Sequence, residues 1–160
     1  MKKQKPDPLE RPALMSAAVD LLSRRDYSRR ELWRKLAPKA SSPEDLESVL
    51  DDLSQRNWQS DERFAAMFLR SRSSRGLGPR RLQQELQQKG ISSELTSEAL
   101  SESDQDWFEN AREVASRKAR SIGLDHPELK SKLWRFMSYR GFSGDQIAHA
   151  IEHIVTQDDN

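Results

Sequence analysis

The feature that most constrains this chain is a self-similarity with a period of about fifty residues. Laying SRRELWRKL (28–36) over GPRRLQQEL (78–86) puts Leu32 on Leu82, Leu36 on Leu86 and Arg30 on Arg80. The same shift of fifty carries Ser42 to Ser92, Glu44 to Glu94 and Leu50 to Leu100. A shift of fifty-one then takes Gly90-Ile91-Ser92 to Gly141-Phe142-Ser143, and Leu82 and Leu86 to Leu133 and Met137. Identity is low, but the matches fall on caps and apolar anchors, where the physical demands are strictest. A unit of this size has only a small core, so stacked units are expected to share apolar faces.

Periodicity and punctuation divide each unit into three helices. In the first unit, Leu14, Ala17, Ala18, Leu21 and Leu22 form one apolar stripe. Ser28 with Glu31 reads as a capping box, and Ser42-Pro43 as the start of a third helix. In the second, Asp61 is read as a cap, Gly78-Pro79 as a helix start, and Gly90 as a left-handed stop before Ser92. In the third, a helix from about Asp106 ends at Gly123. The next is expected from Pro127 to Gly141, and Ser143 with Gln146 forms another box. No stretch alternates as a strand does. The fold class is therefore all-α, with three tandem three-helix repeats of about fifty residues. The expected division is a flexible basic N-terminus (1–8), repeats at 9–58, 59–103 and 104–156, and a polar tail (157–160).

Composition supports thin helical layers, since hydrophobic residues make up 34% and charged residues 33%. Cysteine is absent, which fits a reducing compartment and leaves no thiolate chemistry. No apolar run is long enough to cross a bilayer, nor does an apolar stretch follow the basic start, so a cytoplasmic monomer is expected, with no membrane partner. The net charge of +1 hides an alternation. Residues 29–39 carry five bases and one acid, whereas 44–52 carry five acids and no base. Residues 70–90 hold six bases against Glu85, and 94–109 hold six acids and no base.

Three catalytic patterns are tested and set aside. RGLGPRRL (75–82) lacks both the GxxxxGK[ST] loop and the preceding strand of a dinucleotide turn, so Gly76 and Gly78 read as punctuation around Pro79. HAIEH (149–153) matches H-x-x-E-H, but a zinc site needs a further ligand, and the candidates Asp158 and Asp159 lie in the tail. The serines are spread over caps and do not converge with histidine and acid. No catalytic residue, metal or cofactor is assigned, and the chain is not read as an enzyme. Trp33, Trp58, Trp107 and Trp134 are expected to be packing anchors at unit cores or joints.

What remains is a repeated basic second helix. The main contact group is Arg70, Arg72, Arg75, Arg80 and Arg81, with Lys89. Arg24, Arg25, Arg29, Arg30 and Arg34 form a second group, and Arg135 and Arg140 a third. Aligned second helices would make a basic stripe for an extended anionic partner. The plainer reading is a set of solvated helix faces balanced by acids on the third helices. A direct nucleic-acid-binding module and a protein scaffold without nucleic acid remain alternatives. Against the former, the basic helices show no obvious base-reading set. The small net charge favours a nucleoprotein surface carrying both signs over free DNA.

Over residues 13–155 the chain resembles the RecX family of bacterial recombinase regulators. LLSRRDYSRRELWRKL (21–36), DERFAAMFLRSRSSRGLGPRRLQQELQQKGI (61–91) and RFMSYRGFSGDQI (135–147) are similar to the family's three signatures in order. Tyr27, Asn57 and Leu77 stand where histidine, glycine and an aromatic are usual. The resemblance implies a curved, elongated molecule. It also implies binding to the RecA–single-stranded DNA filament groove, with suppression of ATP hydrolysis, strand exchange and filament growth.

Overall fold

The computed structural model describes residues 6–157, so residues 1–5 of the expected basic N-terminus and 158–160 of the expected tail lie outside the described residues. Nine α-helices and no strand occur among the described residues. The first unit contains α1 (Arg11–Arg24), α2 (Arg29–Leu36) and α3 (Pro43–Gln55), with a 3-10 turn at Ala37–Lys39. The second contains α4 (Asp61–Ser73), α5 (Pro79–Gln88) and α6 (Ser93–Glu102). The third contains α7 (Trp107–Ile122), α8 (Leu129–Arg140) and α9 (Gly144–Gln157). In each unit the first and third helices pack on each other, and the second lies across them.

Local chemistry explains most helix ends. Ser28 and Glu31 form the reciprocal box, and Ser143 and Gln146 do the same at α9. Ser42, Ser92 and Asp106 accept from the third amide of their helices. Two starts differ from the sequence reading. Ser60, not Asp61, caps α4, because the Asp61 carboxylate is engaged by the Arg29 N–H and the Gln59 amide, both at 2.9 Å. Helix α8 starts at Leu129, two residues after Pro127. His126 holds a preceding turn by accepting from Leu129 N at its carbonyl and from Glu128 N at its ring.

The expected sharing of apolar faces is largely not found. Three separate clusters form, around Leu14, Leu32 and Leu50, around Phe64, Leu82 and Leu86, and around Ala115, Leu133 and Phe142. Among the described residues, Trp107 on the third unit's first helix is the one residue from another unit that packs into the second unit's cluster. Trp33 packs in the first cluster. Trp58 and Trp134 correct the packing expectation, being 47% and 44% exposed.

Hydrogen bonds link the units instead, and one set recurs at a repeated position. Lys39, Lys89 and Arg140 are equivalent under the repeat, and the main-chain carbonyl of each accepts a 2.7 Å bond from the preceding segment. The donors are Leu9 N, Ser28 Oγ and Gly78 N. Helix α2 thus meets the end of α5 at its N-terminus, and α5 meets the end of α8 likewise. Leu9 plays the same part for the first unit. Gly78 has an ordinary φ of −88°, so turning freedom is not why it is glycine. A Cβ there would lie 2.5 Å from the Gly141 main chain, and one on Gly141 would lie 2.3 Å from Arg81 Cβ. These glycines permit close approach between units. Gly76 and Gly90, with φ of +81° and +83°, do the chain-turning work expected of them.

Candidate functional site

The joints set α8, α5 and α2 end to end, each N-terminus facing the carbonyls of the preceding helix end. At the α8–α5 joint the orphan Arg80 amide meets the Gly141 carbonyl, whereas at the α5–α2 joint it is the Ser28 hydroxyl that meets the Lys89 carbonyl. With 12, 10 and 8 residues, the three helices sum to about 45 Å at roughly 1.5 Å per residue. Arg80, Arg135, Lys130 and Lys132 stand exposed on this row, with no ion-pair partner among the described residues. Arg30 and Arg34 are also exposed, and their guanidinium groups reach across the first joint to the carbonyls of Gln87 (3.5 Å) and Gln88 (3.4 Å).

The groove where α5 meets α8 holds about 550 Å³ and is lined by Arg80, Arg81, Gln84, Ser138 and Tyr139 among others. Arg81 lies over the Tyr139 ring, 5.2 Å from its centroid, and pairs with Glu85 at 3.4 Å. Sequence reading places Arg80 and Arg81 both in solvent. Arg80 is exposed, but Arg81 is half-buried because these two contacts fold it against the joint. Tyr139 is 76% exposed and was not among the sequence candidates. Its signal was there, since Leu133 and Met137 mark the buried stripe and Tyr139 stands about 200° round the helix from Met137.

The remaining candidates do not form one surface. Arg70 lines two other clefts, one beside α6 and one beside α7, and Arg72 stacks on Phe68 at 5.1 Å. Arg75 is exposed and gives its carbonyl to Arg140 at 3.3 Å, while Arg140 also lies over Phe136. Most of the first-unit group is engaged within the fold. Arg24 pairs with Asp20, Arg29 with Asp51, and Arg25 with both oxygens of Glu31. Lys89 reaches the same Glu31 at 3.2 Å from the second unit. Burial pushes the Glu31 carboxyl up, but hydrogen bonds from Arg25, the Ser28 N–H and Lys89, with the Arg25 charge, hold it below its ordinary value. Burial likewise opposes the Arg25 charge, and Glu31 outweighs it, raising that guanidinium's pKa. Of these cations Lys89 crosses the first joint, and Arg25 holds the Glu31 carboxylate that receives it.

The H-x-x-E-H pair is occupied by other contacts. The Arg112 guanidinium lies against the His153 ring, with Nη2 at 2.9 Å from Nε2, and His149 packs edge-on to Phe108. Among the described residues no three histidine, cysteine, aspartate or glutamate side chains gather as a metal cluster would. No helix among them is long and apolar enough to cross a membrane.

Fold and site together define a tandem three-helix-repeat protein whose basic second helices are joined end to end. Residues 15–53, 60–100 and 104–151 match the models of the first, second and third three-helix domains of RecX. Regulatory protein RecX of Actinobacillus pleuropneumoniae serotype 5b is 44% identical over 132 residues, covering 82% of this chain and 86% of that protein. The Chromohalobacter salexigens protein of the same description is 43% identical over 136 residues, covering 85% and 89%. A crystal structure of RecX from Lactobacillus salivarius superposes with a TM-score of 0.81 at 21% identity, covering 91% of this chain and 97% of that one. The chain belongs to the RecX family, a family of regulatory proteins and not of enzymes.

Proposed function

We propose that this chain is a negative regulator of the RecA recombinase, seated in the groove of the RecA–single-stranded DNA filament. The observation that carries the reading is the end-to-end row of α8, α5 and α2, with exposed, unpaired cations at Arg80, Arg135, Lys130 and Lys132. A row of this length would follow one side of a helical groove across more than one protomer, with arginines suited to carboxylates and phosphates alike. Because both joints close on main-chain carbonyls of the neighbouring helix end, the cations would be held in register without the ordering cost of a flexible arm. RecA would perform all the chemistry. This chain would act by occupancy, opposing ATP hydrolysis, strand exchange and filament extension. Such a role belongs to homologous recombination, DNA repair and the SOS response.

Titrating the protein into RecA hydrolysing ATP on single-stranded DNA tests this reading. Inhibition at micromolar concentration, with the chain well below the number of DNA sites, is the expected result. Inhibition only when the chain exceeds those sites would make it a DNA-binding module that sequesters the strand. No inhibition would remove the proposal.

A further inference from the structure

One position behaves differently in the middle repeat. In the first unit, Arg11 opens α1 and reaches α3, donating through Nε to Ser48 Oγ (3.1 Å) and through Nη2 to Asp52 (3.3 Å). Arg56 joins it at Asp52, and the two arginines hold that carboxyl below its ordinary value. The repeat carries Arg11 to Asp61 and Arg112, and the pair Ser48 and Asp52 to Glu98 and Glu102, then to His149 and His153. In the third unit Arg112 again crosses from the first helix to the third and meets His153. Two of the three units therefore seat an arginine of their own at this place.

The second unit does not. Asp61 turns the other way, to Arg29 and Gln59. On the facing helix Glu98 and Glu102 are exposed, and no ion pair forms at either among the described residues. Between α4 and α6 lies a cleft of about 500 Å³ with Ala66, Leu69, Leu95 and Ala99 along it. Glu62 and Asp104 add two more exposed carboxylates at its edge. Of the two arginines that line it, Arg63 is committed to Asp26 and to the carbonyls of Asn57 and Trp58. Arg70 makes no side-chain hydrogen bond to these acids.

We propose that the α4–α6 cleft is a docking site for an arginine-bearing amphipathic segment of a partner protein. The guanidinium would sit between Glu98 and Glu102, where Arg11 sits between Ser48 and Asp52, and apolar side chains of the segment would cover Ala66 and Ala99. Four carboxylates make the cleft hostile to nucleic acid, so this surface is separate in place and in charge from the basic row. The pairing is bidentate in character, which favours arginine over lysine.

The test uses the full chain and a fluorescein-labelled sixteen-residue helix of alanine, leucine and arginine, followed by anisotropy at physiological salt. The expected result is saturable binding that falls at least tenfold in Glu98→Gln/Glu102→Gln. The same peptide with glutamate for arginine should not bind. Ala66→Arg, which tethers a cation in the cleft, should weaken the peptide as well. Circular dichroism on each variant checks that helix content is kept, and all three positions are exposed. Binding to the glutamine variant within twofold of the unaltered chain, or no binding by the unaltered chain at millimolar peptide, overturns the proposal.

Discussion

The main-chain N–H of Gly78 donates to the carbonyl of Arg140 at 2.7 Å, and that bond ties the start of α5 to the end of α8. Arg80 N adds a second bond to the Gly141 carbonyl at 2.9 Å. The bonds require the two segments to touch at Gly78 and Gly141, where neither position has room for a side chain. Gly78→Ala should therefore cost about 1–3 kcal/mol through overpacking, although alanine accepts the φ of −88° without strain. Denaturant unfolding measures the loss, and hydrogen exchange at Gly78 and Arg80 should quicken. Gly144→Ala, with no heavy atom within 4 Å, should stay within about 0.5 kcal/mol.

The first joint rests on charge where the second rests on main chain. The Glu31 side chain is only 11% exposed and binds Arg25, Lys89 and the Ser28 N–H together. Glu31→Gln leaves two cations without their acid and should cost about 1–3 kcal/mol at neutral pH. The folded-state pKa of Glu31 is lowered from 4.5, so its contribution is present above that value and is lost as pH falls through the folded pKa. Urea midpoints of the two proteins should differ clearly at pH 7 and converge in acid below 4.5. A difference that persists unchanged at low pH would rule out the carboxylate as its source.

Thr96 occupies a position that is leucine in the first unit (Leu46) and isoleucine in the third (Ile147), all buried. Its hydroxyl is enclosed and finds no hydrogen-bond partner among the described residues. Thr96→Val keeps the shape and removes the unpaired polar group, so a gain of about 1 kcal/mol is expected. Thermal unfolding reads it directly, and a lowered midpoint would show that the hydroxyl has a partner.

Helix count and most caps were legible because each depends on residues within a few positions of one another, and the repeat because those local signals recur at a shift of about fifty. Ser28 with Glu31, Ser42 with Pro43 and the stripe through Leu82 and Leu86 declare themselves by spacing alone. The joints were not legible, because Ser28 meets Lys89 and Gly78 meets Arg140 across some sixty residues of chain. Nothing in local spacing marks Arg25, Arg29 and Lys89 as bound inside the fold, so their charges look as free as that of Arg80. The same limit misplaced Trp58 and Trp134. Trp58 lies in the turn between α3 and α4 and Trp134 on α8, and the chain alone does not mark which of these faces the neighbouring elements leave open.

The central claim is that the joined second helices present the regulatory surface. Inhibition of RecA ATP hydrolysis on single-stranded DNA, compared between the unaltered chain and Arg80→Glu/Arg135→Glu, tests it most directly. Both side chains are exposed and unpaired, so helix content and unfolding midpoint should be preserved. The account predicts that the variant needs at least tenfold more protein for half-inhibition, about 1.4 kcal/mol of lost binding. A folded variant that inhibits within twofold of the unaltered chain would contradict it.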